Sequence, residues 1–240
     1  MGTFRRSEDF DADYYERGVQ TGKSLYENYR WLGDQTVAMA QAMVEVLQLK
    51  PEHKVLDYGC AKGYLVRALR ILGMSAWGVD ISRYAIGCVD PEVRSFCAQV
   101  SSNGHLTIPR PLPEASPGVL SSFAVEAAVE NGCDYDMAIS KDVLEHIPYQ
   151  QLPGLLSTIR QVSRGLFAIV PLGDGERFIV PEYEDDPTHE IRESMEWWQE
   201  TLERAGWRVE RSEYLMPGIK DAWAHYPKGN GFFICYRSES

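Results

Sequence analysis

The chain has 240 residues, 44% of them hydrophobic, which is enough for one substantial core and too little for two full-sized domains. Its 24 basic and 35 acidic residues give a net charge of −11 with no dense run of Lys and Arg, so the attraction that drives phosphate-backbone binding is missing and a nucleic-acid partner is disfavoured. No run of about 18 apolar residues is present and the start, MGTFRRSEDFDADYY, is polar with mixed charge, so no transmembrane helix, signal peptide or membrane partner is expected and a cytosolic protein is.

The segment up to about Trp31 is dense in Tyr and charge (YYERG, then SLYENYRWLG) and reads as a capping helix or arm packed by its aromatic rings. Apolar residues at Val37, Met39, Ala40, Met43, Val44, Val46 and Leu47 mark a helical stripe from Gln35 to Leu49, which Pro51 stops. The short strand KVLDY follows, then a turn of small residues, then a helix with Leu65, Leu69 and Leu72 on one face and Gly73 at its end. SAWGVDIS is a second strand finishing at Asp80, with a helix near Arg83 to Gly87. Strands alternating with helices in this way predict a parallel sheet covered on both sides.

The segment FCAQVSSNGH is irregular, and prolines and serines loosen the pattern from Ser101 onward before the apolar run FAVEAAV. An insertion at about 101–133 that ends in a helix is expected there. DYDMAIS is a strand, KDVLEHIPYQQLPGLLSTIRQVS a helix-rich segment broken at Pro148 and Pro153, and GLFAIVPL a buried strand. A long loop, GDGERFIVPEYEDDPTHEIRES, leads to the helix SMEWWQETLERAGW, and the strands RVERSEYL and NGFFICYRS close the chain. The five cysteines are odd in number, scattered and never spaced as CxxC, so they read as reduced thiols, not as a disulfide frame or zinc site. One domain over 1–240 is expected, with a helical arm or lid over about 1–50.

The stretch VLDYGCAKGYLVRALRILG places small residues between a strand and a helix, where free backbone N–H groups and the helix dipole suit a nucleotide-like ligand. Asp57 narrows the choice. A carboxylate two residues before Gly59 repels a pyrophosphate and attracts a cation, and the turn reads GxAxG, not GxGxxG. At these residues the chain resembles the class I S-adenosylmethionine-dependent methyltransferases, whose first motif, D/ExGxGxG, stands here as Asp57-Tyr58-Gly59-Cys60-Ala61-Lys62-Gly63. It departs only at Ala61, read as a mild change of one methyl group. Asp80 stands 23 residues after Asp57, where the family's ribose-binding acid lies, and YDMAISKDVLEHIP is similar to the family's fourth-strand motif.

The resemblance implies a Rossmann-like α/β fold: a seven-stranded sheet, mostly parallel with an antiparallel last strand, and helices on both faces. It implies S-adenosyl-L-methionine as cofactor, with Asp57 on the methionyl ammonium and Gly59, Cys60, Ala61 and Gly63 shaping the wall beside it. Asp80 would hold the ribose, Ile81 would pack on the adenine, and Lys141, Asp142 and Val143 would line the donor near its sulfonium. Tyr29 or Arg30 of the aromatic arm would touch the donor carboxylate if that arm is a lid and not simple packing.

Methyl transfer from a sulfonium gains much of its rate from alignment, with a base needed only where the acceptor must lose a proton. His189, in the loop after the fifth strand, is the first candidate base. His146, four residues after Asp142 and expected to share its helical face, is either a second base or a packing histidine. Asp142 completes the catalytic candidates. Asp185, Asp186, His189 and Glu190 read as a solvated acidic face, and no metal is expected. Of adjacent Trp197 and Trp198, one is expected to pack inward.

The reading that results is methyl transfer to an O or N atom of a small polar acceptor such as a sugar, nucleotide sugar or phosphorylated metabolite. Its rivals are a methyltransferase of protein or nucleic acid, a nicotinamide-dependent oxidoreductase, and an inactive methyltransferase-fold partner protein. The sequence sets no oligomeric state.

Overall fold

The structure, a computed structural model, describes residues 6–100 and 134–238. The expected insertion at 101–133, its FAVEAAV helix and Cys133 lie outside the described residues. Strands β1 (Lys54–Tyr58), β2 (Ser75–Asp80), β3 (Cys97–Gln99), β4 (Tyr135–Lys141), β5 (Ser163–Pro171), β6 (Trp207–Glu213) and β7 (Asn230–Arg237) form one sheet in the order β3-β2-β1-β4-β5-β7-β6. The first five run parallel, and β7 lies antiparallel between β5 and β6. The expected seven strands are present, including a short third strand in the segment read as irregular.

Burial on both faces explains the near-continuous apolar strands. Along β5, Leu166, Ala168 and Val170 pack into one core while Phe167 and Ile169 pack into the other, the period of two that a pleated strand imposes. The first core holds helix α5 (Leu152–Val162) through Leu152, Leu155, Leu156 and Ile159, and helix α6 (Met195–Arg204) through Trp198 and Leu202. Trp198 is fully buried and Trp197 half-buried against the same core, as their adjacency requires. The second core holds α2 (Gly33–Val46) and α3 (Tyr64–Ile71), the latter through Leu65, Val66, Ala68 and Leu69, and the short α4 (Arg83–Gly87) follows β2.

Three local expectations change. Pro153 does not break the segment after β4; it sits in the first turn of α5, where the missing N–H costs nothing. Residues Leu144–His146 form a single 3-10 turn preceded by Asp142 at φ +56°, so Asp142 and His146 do not share an α-helical face. The long loop after β5 carries a 3-10 turn at Pro181–Asp185.

The chain leaves β1 through α3 toward β2 on one side, and leaves β4 through α5 toward β5 on the other. Neighbouring β1 and β4 therefore flank the switch point, where the carboxyl ends of parallel strands open a crevice. Asp57 pairs in register with Ile139, which brings the ends of β1 and β4 side by side. Helix α1 (Ala12–Thr21) and the following residues up to Trp31 lie across that end of the sheet.

Candidate active site

The side expected to hold the donor, called the donor side, is built from backbone conformation. Gly59, Ala61 and Gly63 have φ of +84°, +48° and +73°, so the turn after β1 winds through left-handed space before α3 starts. Gly59 is further constrained by Val143, since a Cβ there would lie 2.2 Å from the valine Cγ2. Ala61 is more than one added methyl, because a non-glycine residue in left-handed space costs about 1 kcal/mol. What holds it there is its N–H, which donates to Asp80 Oδ2 at 2.7 Å, while Ser82 N–H donates to Oδ1 at 2.7 Å.

Asp57 and Asp80 are 4% and 7% exposed. Burial, then the nearby Asp80 charge, raises the Asp57 carboxyl to about 7 against the pull of Lys141. Burial raises Asp80 to about 6 despite its backbone donors. No hydrogen bond reaches the Asp57 carboxylate among the described residues, so a buried acid at the end of β1 is left short of a positive partner. A primary ammonium beside it would supply that partner, and the glycine-walled turn gives room for a chain to approach. These residues thus fit the amino-acid end of a cationic nucleoside ligand.

The aromatic arm closes over this turn. Phe10, Tyr14 and Tyr15 are buried with Ala85, and Tyr26, Tyr29, Tyr84, Ala61 and Ile81 pack against them. Lys62 Nζ bonds Glu16 Oε1 at 2.5 Å and the Tyr29 carbonyl at 2.7 Å, and Ser82 Oγ donates to the Phe10 carbonyl at 2.6 Å. Tyr29 lies close enough to Asp57 and Asp80 that, after burial, their charges push its hydroxyl upward; Arg30 is exposed. Cys60 is buried under the turn against Gly78.

The side expected to meet the acceptor, called the acceptor side, is built from side chains of distant segments. Asp142 takes Lys141 Nζ at 2.5 Å on one oxygen and Lys220 Nζ on the other, and Lys220 also sits over the Tyr183 ring at 4.8 Å. Burial works against the Asp142 anion, yet the two ammoniums hold it well below the usual carboxylate range. Glu145, 1% exposed, is raised to about 8 by burial and then by Asp142, and its Oε2 has no hydrogen-bond partner among the described residues. Its carbonyl accepts the N–H groups of Glu190 and Ile191, which ties the post-β5 loop to the 3-10 turn.

That tie brings the two predicted histidines together, with ring centroids 4.7 Å apart. His146 Nδ1 lies 2.8 Å from Thr188 Oγ1, whose hydroxyl donates to Asp186 Oδ1 at 2.5 Å; His189 Nδ1 lies 2.7 Å from the Tyr183 carbonyl. Burial, then His189, lowers His146 to about 3, and burial lowers His189 as well, so burial favours the neutral form of both rings. The arm reaches this side too: Tyr14 donates to Asp186 Oδ2 at 2.9 Å, and Phe10 packs edge-on to His146. Asp186 and His189, 3% and 7% exposed, are not the solvated face their sequence suggests, although Asp185 is exposed. The rings of Phe178 and Tyr183 pack edge-on against His189.

Of the residues singled out in the sequence, Asp57, Asp80, Lys141, Asp142, His146 and His189 come together at this end of the sheet, and Glu145, Lys62, Tyr183, Thr188 and Lys220, which the sequence does not single out, pack or bond among them. Glu145 carried a signal, being next to His146 in LEHIP; Lys220, in MPGIKDAW, carried none.

The sequence matches the methyltransferase domain family over residues 32–214. No curated protein matches it in sequence. Among solved structures, a Haloferax volcanii methyltransferase in complex with the Trm112 methyltransferase activator superposes with a TM-score of 0.61 at 13% identity, covering 98% of this chain and 99% of that one. Burkholderia thailandensis 1,6-didemethyltoxoflavin-N1-methyltransferase, with 1,6-didemethyltoxoflavin and S-adenosylhomocysteine bound, gives 0.59 at 13% over 97% and 87%. The CcbJ methyltransferase from Streptomyces caelestis gives 0.57 at 11% over 88% and 94%. At such identities these likenesses speak for the fold; the domain match speaks for the family. The chain belongs to the methyltransferase domain family, as a class I S-adenosylmethionine-dependent methyltransferase.

Proposed function

We propose that this enzyme methylates an O or N atom of a small polar molecule, of the class of sugars, nucleotide sugars or phosphorylated metabolites, held beneath the N-terminal arm. S-adenosylmethionine supplies a methyl group already activated on a sulfonium. Asp57 holds the methionyl ammonium, Asp80 accepts the ribose hydroxyls on lone pairs left over from its two backbone bonds, and Ile81 packs on the adenine. Lys141 and Val143 border the donor at the end of β4. Asp142, pinned between two lysines, keeps its charge and positions groups instead of taking a proton. His146, His189 and Glu145 face the acceptor's polar atom.

One observation carries the small-acceptor reading. The polar groups at the ends of β4 and β5 (Glu145, His146, Asp186 and His189) are at most 7% exposed, and the arm is bonded to them through Tyr14 and to the donor side through Lys62. An acceptor reaching them is enclosed, which a protein or nucleic-acid strand running along an open groove is not. The Burkholderia neighbour, whose bound acceptor is a small molecule, agrees with this reading.

Calorimetry with S-adenosylmethionine and S-adenosylhomocysteine is expected to show one bound equivalent, and S-adenosylhomocysteine release across a panel of sugars, nucleotide sugars and phosphorylated metabolites is expected to find turnover. Release only with peptides or RNA would move the acceptor to the macromolecular class. Binding of NADH but not of either adenosyl compound would overturn the donor assignment.

A further inference from the structure

We infer that Glu145, His146 and His189 form a binding site for one divalent first-row transition-metal ion, of the zinc or manganese kind, on the acceptor side of the crevice. A carboxylate oxygen of Glu145 and one ring nitrogen of each histidine all lie within 4.8 Å of one another. Ligand atoms around an ion at about 2.1 Å stand roughly 3–3.5 Å apart, so the group closes on an ion with a shift of about an ångström.

The hydrogen bonds around the cluster orient it for this. Thr188 Oγ1 gives its own proton to Asp186 Oδ1, so toward His146 it accepts, and His146 carries its proton on Nδ1. The Tyr183 carbonyl can only accept, so His189 carries its proton on Nδ1 as well. Each ring is left with an unprotonated Nε2. An imidazole whose Nδ1–H is held by a carbonyl or a carboxylate relay is the arrangement that fixes a metal ligand's tautomer and orientation. The third donor is the independent sign that a ligand is missing: Glu145 Oε2 is buried and has no hydrogen-bond partner among the described residues. Asp142 is not part of the set, because Lys141 and Lys220 occupy both of its oxygens.

Two imidazoles and one carboxylate favour zinc, manganese, cobalt or iron over magnesium, which prefers oxygen ligands and water. Three protein ligands leave coordination positions open for an acceptor's oxygen or nitrogen. This deepens the proposed function and rests on it for the acceptor's place, and it replaces the base expected of His189 by a ligand, against the expectation from sequence that no metal is bound.

The test uses the full, tag-free chain, treated with EDTA and dialysed, titrated calorimetrically with ZnCl2, MnCl2 and MgCl2, with the Mn2+ spin-resonance spectrum as a second readout. One zinc or manganese ion per chain is expected, with magnesium at least a hundredfold weaker. Glu145→Gln and His189→Gln are each expected to weaken binding at least tenfold, and exposed His225→Gln to leave it unchanged. Where either ligand variant melts early, Thr188→Val, which removes the His146 tether, is expected to weaken binding about tenfold. Failure of the wild-type chain to bind zinc or manganese stoichiometrically overturns the inference, as does wild-type affinity in both folded ligand variants. Donor binding measured on the metal-free chain separates this failure from failure of the methyltransferase reading.

Discussion

The two halves of the crevice are made in different ways. On the donor side a single stretch, Asp57 to Gly63, with Asp80 a strand away, sets the site through left-handed backbone angles and N–H groups aimed at a carboxylate. On the acceptor side no stretch suffices: His146 meets Thr188 across 42 positions, Asp142 meets Lys220 across 78, and Tyr14 meets Asp186 across 172. A site made of backbone tolerates few residues at each position. A site made of side chains can be rebuilt from other segments, which lets one fold keep its donor while changing its acceptor.

Gly59→Ala tests the first half and carries the largest expected effect. It puts a side chain in left-handed space and a Cβ 2.2 Å from Val143 Cγ2, two costs that together come to about 3 kcal/mol or more. Thermal or urea unfolding should register that loss, with donor binding falling too as the turn moves. A variant of near wild-type stability would mean that the turn is not held by its backbone.

The second half is tested by its charge cluster. Asp142→Asn leaves the buried Lys220 ammonium and the half-buried Lys141 ammonium facing each other and should cost about 3 kcal/mol, whereas Lys220→Met leaves Asp142 its Lys141 partner and should cost about half that. Denaturant titration of the two variants checks the order. Equal losses would mean that Lys220, not Asp142, organises the cluster.

This division explains what the sequence made legible. The strand and helix order, the glycine turn and both donor-side acids follow from local pattern, because apolar period, turn chemistry and a strand-end carboxylate are all properties of neighbours in the chain. Lys220 could not be found that way; its place against Asp142 and Tyr183 exists only once the loop before β7 is folded over β4. Asp186 and His189 are buried where their sequence suggests a solvated face for the same reason, since an acidic loop looks exposed until Phe178, Tyr183 and the Tyr14 hydroxyl are packed around it. His146 sits on a 3-10 turn and not on the helix that the spacing of VLEHI suggests, because Ile147, held extended ahead of Pro148, ends the turn right after it.

Asp57→Asn gives a smaller and more diagnostic effect. Losing the charged partner of an ammonium should weaken donor binding tenfold to a hundredfold, while stability holds or rises because the buried carboxylate is itself unfavourable. The pH dependence has a definite sign. The folded-state value of about 7 lies above the ordinary 3.8, so between about pH 4 and pH 7 the native chain keeps a proton that the unfolded chain has released. Stability of the free protein therefore declines as pH rises through that window and levels off above it. Donor binding runs the other way, tightening from pH 5.5 to 7.5 as Asp57 ionises. Asp80, at about 6, contributes in the same sense, so the difference between wild type and Asp57→Asn isolates the share of Asp57. Calorimetry over this range checks it, and a pH profile unchanged by Asp57→Asn would remove that residue from the ammonium site.

The arm joins the two halves, and cutting each of its ties separately asks whether they are as independent as their construction suggests. Lys62→Met removes the ammonium that holds Glu16 and the Tyr29 carbonyl, while Glu16 keeps its bond from Tyr84. A half-buried pair of this kind contributes about 1 kcal/mol, so the arm should open roughly fivefold more often, with the core melting point nearly unmoved. Limited proteolysis within residues 12–31 reads the opening directly. Tyr14→Phe cuts only the tie to Asp186 and keeps the ring packed against Phe10, so it should open the arm less and disturb acceptor kinetics more than donor affinity. If both variants shift donor and acceptor parameters alike, the arm moves as one lid and the two halves are coupled through it. If each shifts only its own side, the arm is two latches on one strap, and the backbone-built and side-chain-built halves act independently.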